Sequence, residues 1–290
     1  MGTSAHVAVL GGRRGLEQQA AGRVADLERR WSRFRADSEL SRLNAGRIGI
    51  AAVVSPETYR LVERAVGAWE LTDGRYDPTV LGSVVANGYD RTFSEVPADR
   101  TAPGSPTTRA PGCRGIVLDA QHHAITLPEG VGIDPGGIGK GLAADIVADE
   151  LMAAGAEGAL VDIGGDVRMV GTGPEDGQWV IDVDHPLDPD HTLLHLSLSD
   201  VGIATSSRLR RQWLHNGVAR HHLIDPATGR PTTTRIVAAT VIAGEAWWAE
   251  ALTKVLFVTG SLDTIDNASA IIVNEAGECD ATADLMELLT

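Results

Sequence analysis

Two cysteines, Cys113 and Cys279, are all the thiol that this 290-residue chain carries. They lie far apart in sequence, which supports neither a disulfide scaffold nor a thiolate metal site and leaves the redox compartment open. Basic residues are short as well: 25 Lys and Arg stand against 39 Asp and Glu, a formal charge of −14. A general nucleic-acid coat needs a net basic footprint, so nucleic acid is excluded as the expected partner. Long apolar runs are missing too. Residues 1–30 hold only Val7-Ala8-Val9-Leu10 before Arg13 and Arg14, too little for a signal-peptide core or a membrane span. The expectation is a soluble, cytoplasmic protein. No fixed-period repeat occurs, which sets solenoids and arrays aside.

What is present is an ordinary globular balance, 43 % hydrophobic and 22 % charged, with enough apolar residues to bury a real core. The 33 glycines exceed the usual share of about 7 % and mark places where backbone turns tightly or comes close to a ligand. His6 to Leu10 reads as a strand. From Leu16, apolar residues recur at Ala20, Val24, Leu27, Trp31 and Phe34, the three-and-four spacing of an amphipathic helix. Ser55-Pro56-Glu57 supplies an N-cap, a first-turn proline and an early acid for a second helix through Val62, Val66 and Trp69, ending near Asp73-Gly74. Residues 95–114 lack either periodicity and read as an exposed loop insertion. Gly115 to Leu118 and Ala124 to Leu127 read as a hairpin pair, followed by a helix from about Lys140 to Ala154 and a strand from Ala159 to Ile163. Further strands are expected at Trp179 to Val183, Leu194 to Leu198, Ala238 to Ile242 and Ala270 to Val273, with a helix over Ala246 to Val258. Helices and strands mix without regular alternation, which predicts an α+β class with mixed layers of helices and antiparallel-rich sheets. The whole chain, 1–290, is expected to form a single domain.

The strongest local signal is Asp134-Pro135-Gly136-Gly137-Ile138-Gly139-Lys140-Gly141, set between a strand and a helix. Its glycines let backbone N–H groups crowd an anion at a helix N-terminus, and Lys140 offers a point charge for phosphate. The spacing matches neither a Walker loop nor the dinucleotide fingerprint, and a plain strand-to-helix turn uses glycine in the same way. Asp162-Ile163-Gly164-Gly165-Asp166 reads either as backbone pressed against a ligand or as a hairpin turn with a solvated Asp166. His222, in His221-His222-Leu223-Ile224-Asp225-Pro226, is a candidate general base, with turn chemistry as the bland alternative. Taken alone, Asp37 to Asn44 and Arg75 to Val80 are polar turns.

Taken in order, these segments are not anonymous. Met1-Gly2-Thr3, Ser38-Glu39-Leu40-Ser41-Arg42-Leu43-Asn44, Tyr76-Asp77-Pro78-Thr79-Val80, the glycine-lysine segment, Ile163-Gly164-Gly165-Asp166, Ala204-Thr205-Ser206 and His222-Leu223-Ile224-Asp225-Pro226 together resemble the FAD:protein FMN transferase family, also called the ApbE flavin transferases. The resemblance runs from the first residue to about Gly260. It implies a T-fold-like architecture. It also implies an enzyme that cleaves the FAD pyrophosphate with the help of Mg2+ and joins FMN by a phosphoester bond to Thr or Ser of an acceptor protein, releasing AMP. By the same resemblance Met1, Phe34, Arg75, Tyr76, Asp77, Asp134 and Lys140 contact FAD, Leu223 is the flavin-site aliphatic residue and His222 is the base.

The implied metal ligands are the Gly137 carbonyl and an Asp and a Thr one turn apart on a later helix. Here the helix reads Ala249-Glu250-Ala251-Leu252-Thr253-Lys254. Glu250 retains a carboxylate with about one more methylene of reach, whereas the Lys254 ammonium cannot ligate at all. Glu250 and Lys254 could form an i,i+4 ion pair worth roughly 0.2–0.5 kcal/mol. Alternatively, Lys254 weakens or partly replaces Mg2+ and neutralises the pyrophosphate itself. Ser207 is a second departure, standing where the family has glycine. Because His222, Asp225, Lys140 and Asn44 all remain, the transferase reading is preferred. A flavin-binding protein without transfer, or an FAD pyrophosphatase, are the alternatives.

Overall fold

Ile236-Val237-Ala238-Ala239-Thr240-Val241-Ile242-Ala243 is buried at every position, as a strand covered on both faces must be. The computed structural model, which describes residues 3–100 and 107–288, places it in a seven-stranded sheet. The strands of this sheet are β1 (Ala5–Leu10), β2 (Gly158–Ile163), β3 (Asp166–Gly171), β4 (Gly202–Ser207), β5 (Ile236–Ala243), β6 (Ser269–Asn274) and β7 (Cys279–Ala281), and they lie side by side in chain order. Every pairing is antiparallel. The expected mixed α+β class, rich in antiparallel sheet, is what the chain adopts.

Six helices matter for the site: α1 (Leu16–Trp31), α2 (Glu39–Asn44), α3 (Pro56–Leu71), α4 (Leu81–Ala86), α5 (Gly139–Ala153) and α6 (Ala246–Thr259). The chain divides into two compact units built from separated segments. One comprises residues 27–139 and 210–233; the other comprises residues 3–26, 140–209 and 234 onward.

The sheet belongs to the second unit. Helix α6 packs on β4 and β5. Trp179, Val183, Leu194, Leu196 and Leu198, from the hairpin of Trp179–His185 and Asp188–Leu198, share a core with Ile203, Ile242 and Ile271. Strand alternation separates the two layers: Ile203 turns to the hairpin, while Ser206 bonds Thr253 of α6 and so turns to the helix. Asp166, the direct cross-strand partner of Ala204, lies on the same helix-facing side.

The first unit is built around Leu40, Leu43, Tyr59, Val62, Ile125, Leu127, Val131 and Ile133. The segment Ser38 to Asn44 is not a polar turn. Ser38 caps α2 by accepting the Ser41 N–H at 3.0 Å, and Leu40 and Leu43 enter the core. Glu39 reaches across to the start of α3, where its carboxylate accepts from the Ser55 N–H and hydroxyl and from the Thr58 hydroxyl. Asn44 then grips Ile133 in both directions, donating to its carbonyl at 2.9 Å and accepting its N–H at 2.8 Å. Helix α1 ends at Trp31, so Phe34, expected on its apolar stripe, lies beyond it. The 95–114 insertion is tied down at both ends: Asp99 and Arg100 pair in parallel with Leu214 and His215, and the Ala110 N–H donates to the Pro226 carbonyl.

Gly141 lets the start of α5 approach the start of α6 closely. A Cβ at this position would lie 2.4 Å from the Ala246 carbonyl oxygen and 2.7 Å from the Trp247 nitrogen. Both are backbone atoms that cannot swing aside. Gly141→Ala is therefore expected to destabilise the protein by about 1–3 kcal/mol or more, the scale of overpacking against rigid neighbours, read as a lowered urea midpoint.

Candidate functional site

In the second unit, Gly164 and Gly165 have φ of 65° and 91°, the paired left-handed conformations of a two-residue hairpin turn between β2 and β3 that glycine adopts without strain. Asp162 accepts the Gly165 N–H at 2.8 Å. The next residue, Asp166, is not solvated as one reading had it. It is fully buried, and its Oδ2 is bonded by the Lys140 ammonium. Lys140, in the first turn of α5, also lies 3.0 Å from Glu250 Oε1. Its charge is thus engaged by two carboxylates from two different elements.

Glu250 is 0 % exposed. Its Oε2 accepts the Gly141 N–H at 2.9 Å, and the Lys254 ammonium stands 3.8 Å from Oε1. Burial pushes this carboxyl up, but the Lys140 and Lys254 charges and the Gly141 N–H outweigh it and hold it below the usual range. Lys254 also donates to Ser206 Oγ at 2.8 Å and Thr253 Oγ1 at 3.2 Å. The helix ion-pair geometry is present, and it belongs to a larger cluster in which the formal charges of Lys140, Lys254, Asp166 and Glu250 cancel. Ser207 accepts the Leu209 N–H at 3.2 Å, and Thr205 meets Thr240 across the strands at 2.9 Å.

In the first unit, the Asp134 carboxylate closes its own turn by accepting the Gly136 N–H at 2.7 Å. Its backbone N–H donates to the Pro78 carbonyl at 2.7 Å, joining the glycine turn to the Tyr76-Asp77-Pro78 turn. The Pro135 carbonyl accepts from Ile138 and Gly139, which places Gly137 inside this turn, just ahead of α5. Asp77 accepts the Thr79 N–H and hydroxyl; burial pushes its carboxyl up against these bonds. Tyr76 and Leu223 are buried, and Phe34 is 37 % exposed. Arg75 lies at the surface, 3.7 Å from Asp73. Met1 lies outside the described residues.

Arg33, which sequence patterning gave no reason to single out, links several of these residues. Its guanidinium lies 4.2 Å from the Phe34 ring centroid and 4.5 Å from that of Tyr89, donates to the Tyr89 carbonyl at 2.9 Å and stands 3.4 Å from Asp134 Oδ2. Phe34 and Asp134 are therefore brought together through one stacked cation.

His221 Nε2 is 3.1 Å from the Thr232 carbonyl. A carbonyl only accepts, so Nε2 carries the proton. His222 and Leu223 follow directly, ahead of a turn organised by the Asp225 carboxylate, which accepts from the Ala227 N–H and the Thr228 hydroxyl.

The fold is shared with solved ApbE structures. One from Thermotoga maritima matches at a TM-score of 0.87 and 26 % identity, covering 99 % of this chain and 96 % of that one. A flavin transferase ApbE from Vibrio cholerae matches at a TM-score of 0.80 and 25 % identity, covering 100 % and 96 %. The model of the ApbE family matches residues 1–278, and the chain belongs to that family. Among curated relatives, the FAD:protein FMN transferase of Vibrio cholerae is 32 % identical over 232 residues, 79 % of this chain and 69 % of the relative. That of Haemophilus influenzae is 29 % identical over 245 residues, 82 % and 70 %.

Asp145 is a further acid that pattern reading missed. It is buried on α5 and accepts the Ala246 and Trp247 N–H groups at 2.9 Å each, capping α6 from another helix. Burial pushes its carboxyl up to about 6 from 3.8, against these bonds and the Arg168 charge. The folded state holds this proton more tightly than the unfolded one. Its contribution is therefore complete below pH 3.8 and lost as pH rises through about 6. The stability difference between the wild type and Asp145→Asn is expected to shrink across that window, measured by chemical denaturation at a series of pH values.

Proposed function

We infer that the protein is an FAD:protein FMN transferase. The observation that carries this is the family match over residues 1–278, together with relatives of that name at 32 % and 29 % identity over most of the chain. The substrates are FAD and an acceptor protein with a Thr or Ser hydroxyl. That hydroxyl attacks the phosphorus of the FMN half, the new P–O bond forms, the pyrophosphate P–O bond breaks and AMP leaves. We propose that residues 1–290 act as one transferase domain.

We assign His222 as the base that takes the hydroxyl proton. His221, whose Nε2–H donates to the Thr232 carbonyl and whose Nδ1 therefore carries the lone pair, is the alternative base. Phe34 and Asp134 are proposed FAD contacts, supported by the stacking and ion pair with Arg33 that fix them. Met1, Arg75, Tyr76, Asp77 and Leu223 stay in the proposed FAD set on the resemblance alone. Tyr76, Asp77 and Leu223 are buried, as Asp134 is. Lys140 and the glycine turn are proposed to face the pyrophosphate.

Mg2+ does not fit the residues around Glu250, although the resemblance implies an ion held by the Gly137 carbonyl and this helix. The carboxylate is already met by Lys140, Lys254 and the Gly141 N–H, and an ammonium has no lone pair to give. Among the described residues, no group of three or more His, Cys, Asp or Glu is gathered to hold a metal ion.

Incubation with FAD and a Thr-bearing acceptor is expected to add the mass of FMN, less one water, to the acceptor and to release AMP, read by mass spectrometry. An acceptor that stays unmodified while FAD is split to FMN and AMP would make the protein a pyrophosphatase instead. His222→Ala is expected to lower the transfer rate by roughly two to four orders of magnitude, the usual scale for a positioned base, with FAD affinity little changed.

A further inference from the structure

Proton arithmetic around Lys254 leaves little for a metal to bind. The Thr253 hydroxyl donates to the Glu250 carbonyl at 2.7 Å. Its proton is therefore spent, and Ser206 is the donor in the 2.7 Å bond between the two hydroxyls. Lys254 donates to both of these oxygens. Thr253 Oγ1 thus receives two donors and has no lone pair left, while Glu250 Oε2 accepts an amide N–H and Oε1, without a hydrogen bond among the described residues, faces ammonium groups at 3.0 and 3.8 Å. A divalent cation here would have to displace a tethered like charge.

The cluster also has a direction. The Lys140 and Lys254 side chains retain 18 % and 17 % exposure, whereas those of Asp166 and Glu250 have 1 % and 0 %. The carboxylates are buried while both lysine side chains keep partial exposure, so the part of the cluster that an approaching anion can reach is lysine.

We propose that Lys254 is a tethered cation that takes over charge neutralisation of the pyrophosphate, so that this protein binds FAD without a divalent ion. The inference rests on the flavin transferase reading. Fixing the ammonium on α6, one turn from Glu250, replaces a diffusible ion with a charge that is always present, and Glu250 becomes the group that holds Lys140 and Lys254 rather than a ligand.

The test is calorimetry of FAD binding to the full chain, first in EDTA and then with excess Mg2+. Wild-type Kd is expected to agree within about threefold between the two conditions, a difference below 1 kcal/mol. Lys254→Met keeps the aliphatic stem and removes the charge, and is expected to weaken FAD binding in EDTA by about tenfold or more. Lys254→Thr with Glu250→Asp is expected to make FAD binding depend on Mg2+ by about tenfold. It should also take up Mn2+, read by electron paramagnetic resonance, when wild type does not. FAD binding by wild type only with Mg2+, or unchanged affinity in Lys254→Met, would overturn the proposal and leave the transferase reading intact. No FAD binding under any condition would overturn both.

Discussion

A carboxylate with no exposure must be compensated where it stands, and Glu250 is that carboxylate. Stripping one partner from such a group costs about 3–5 kcal/mol, so its partners are fixed in place together. Gly141 supplies an N–H from the first turn of α5, Lys140 spans to Asp166 at the base of the β2–β3 hairpin, and Lys254 binds the hydroxyls of Ser206 and Thr253. Three elements of the second unit, α5, α6 and the sheet, are registered against one another by this single acid. The requirement for glycine at 141 follows from it, because only a residue without Cβ brings the α5 backbone close enough to α6.

The first unit uses polar residues in the same way but in smaller sets. Ser38, Glu39 and Asn44 cap a helix, anchor the next one and grip the strand-like segment before the glycine turn. These contacts explain a conspicuous sequence motif without asking its residues to touch a substrate. Arg33 then carries that rigidity toward Asp134 and Phe34. Positions that look functional in a motif are thus divided between those that build the scaffold and those that the scaffold presents.

Periodicity made the long elements legible: the helices at Leu16, Pro56, Gly139 and Ala246, and the strands at Gly158, Trp179, Ile236 and Ser269, each repeat a clear apolar spacing. Short elements were not legible. Helix α2 has six residues, four of them polar, and β4 is written Gly-Ile-Ala-Thr-Ser-Ser, so its place beside β5 comes from pairing rather than propensity. The site was readable as motifs but not as contacts. Nothing in the linear order joins Lys140 to Asp166 and Glu250, or Arg33 to Asp134, since each link depends on elements far apart in the chain. Asp145 was hidden for the same reason: an acid within one helix gives no sign that it caps another.

The seven-stranded sheet is continuous in space and scattered along the chain, and this sets a schedule for synthesis. Among the described residues β1 pairs in this sheet with β2 alone, so it waits without its partner until residue 163 has been made. Strands β5, β6 and β7, which complete the far side, come later still. In between, residues 27–139 emerge as an almost uninterrupted block with a core of their own. A stalled or truncated chain would therefore carry a β1 whose edges stay open to pairing with other chains.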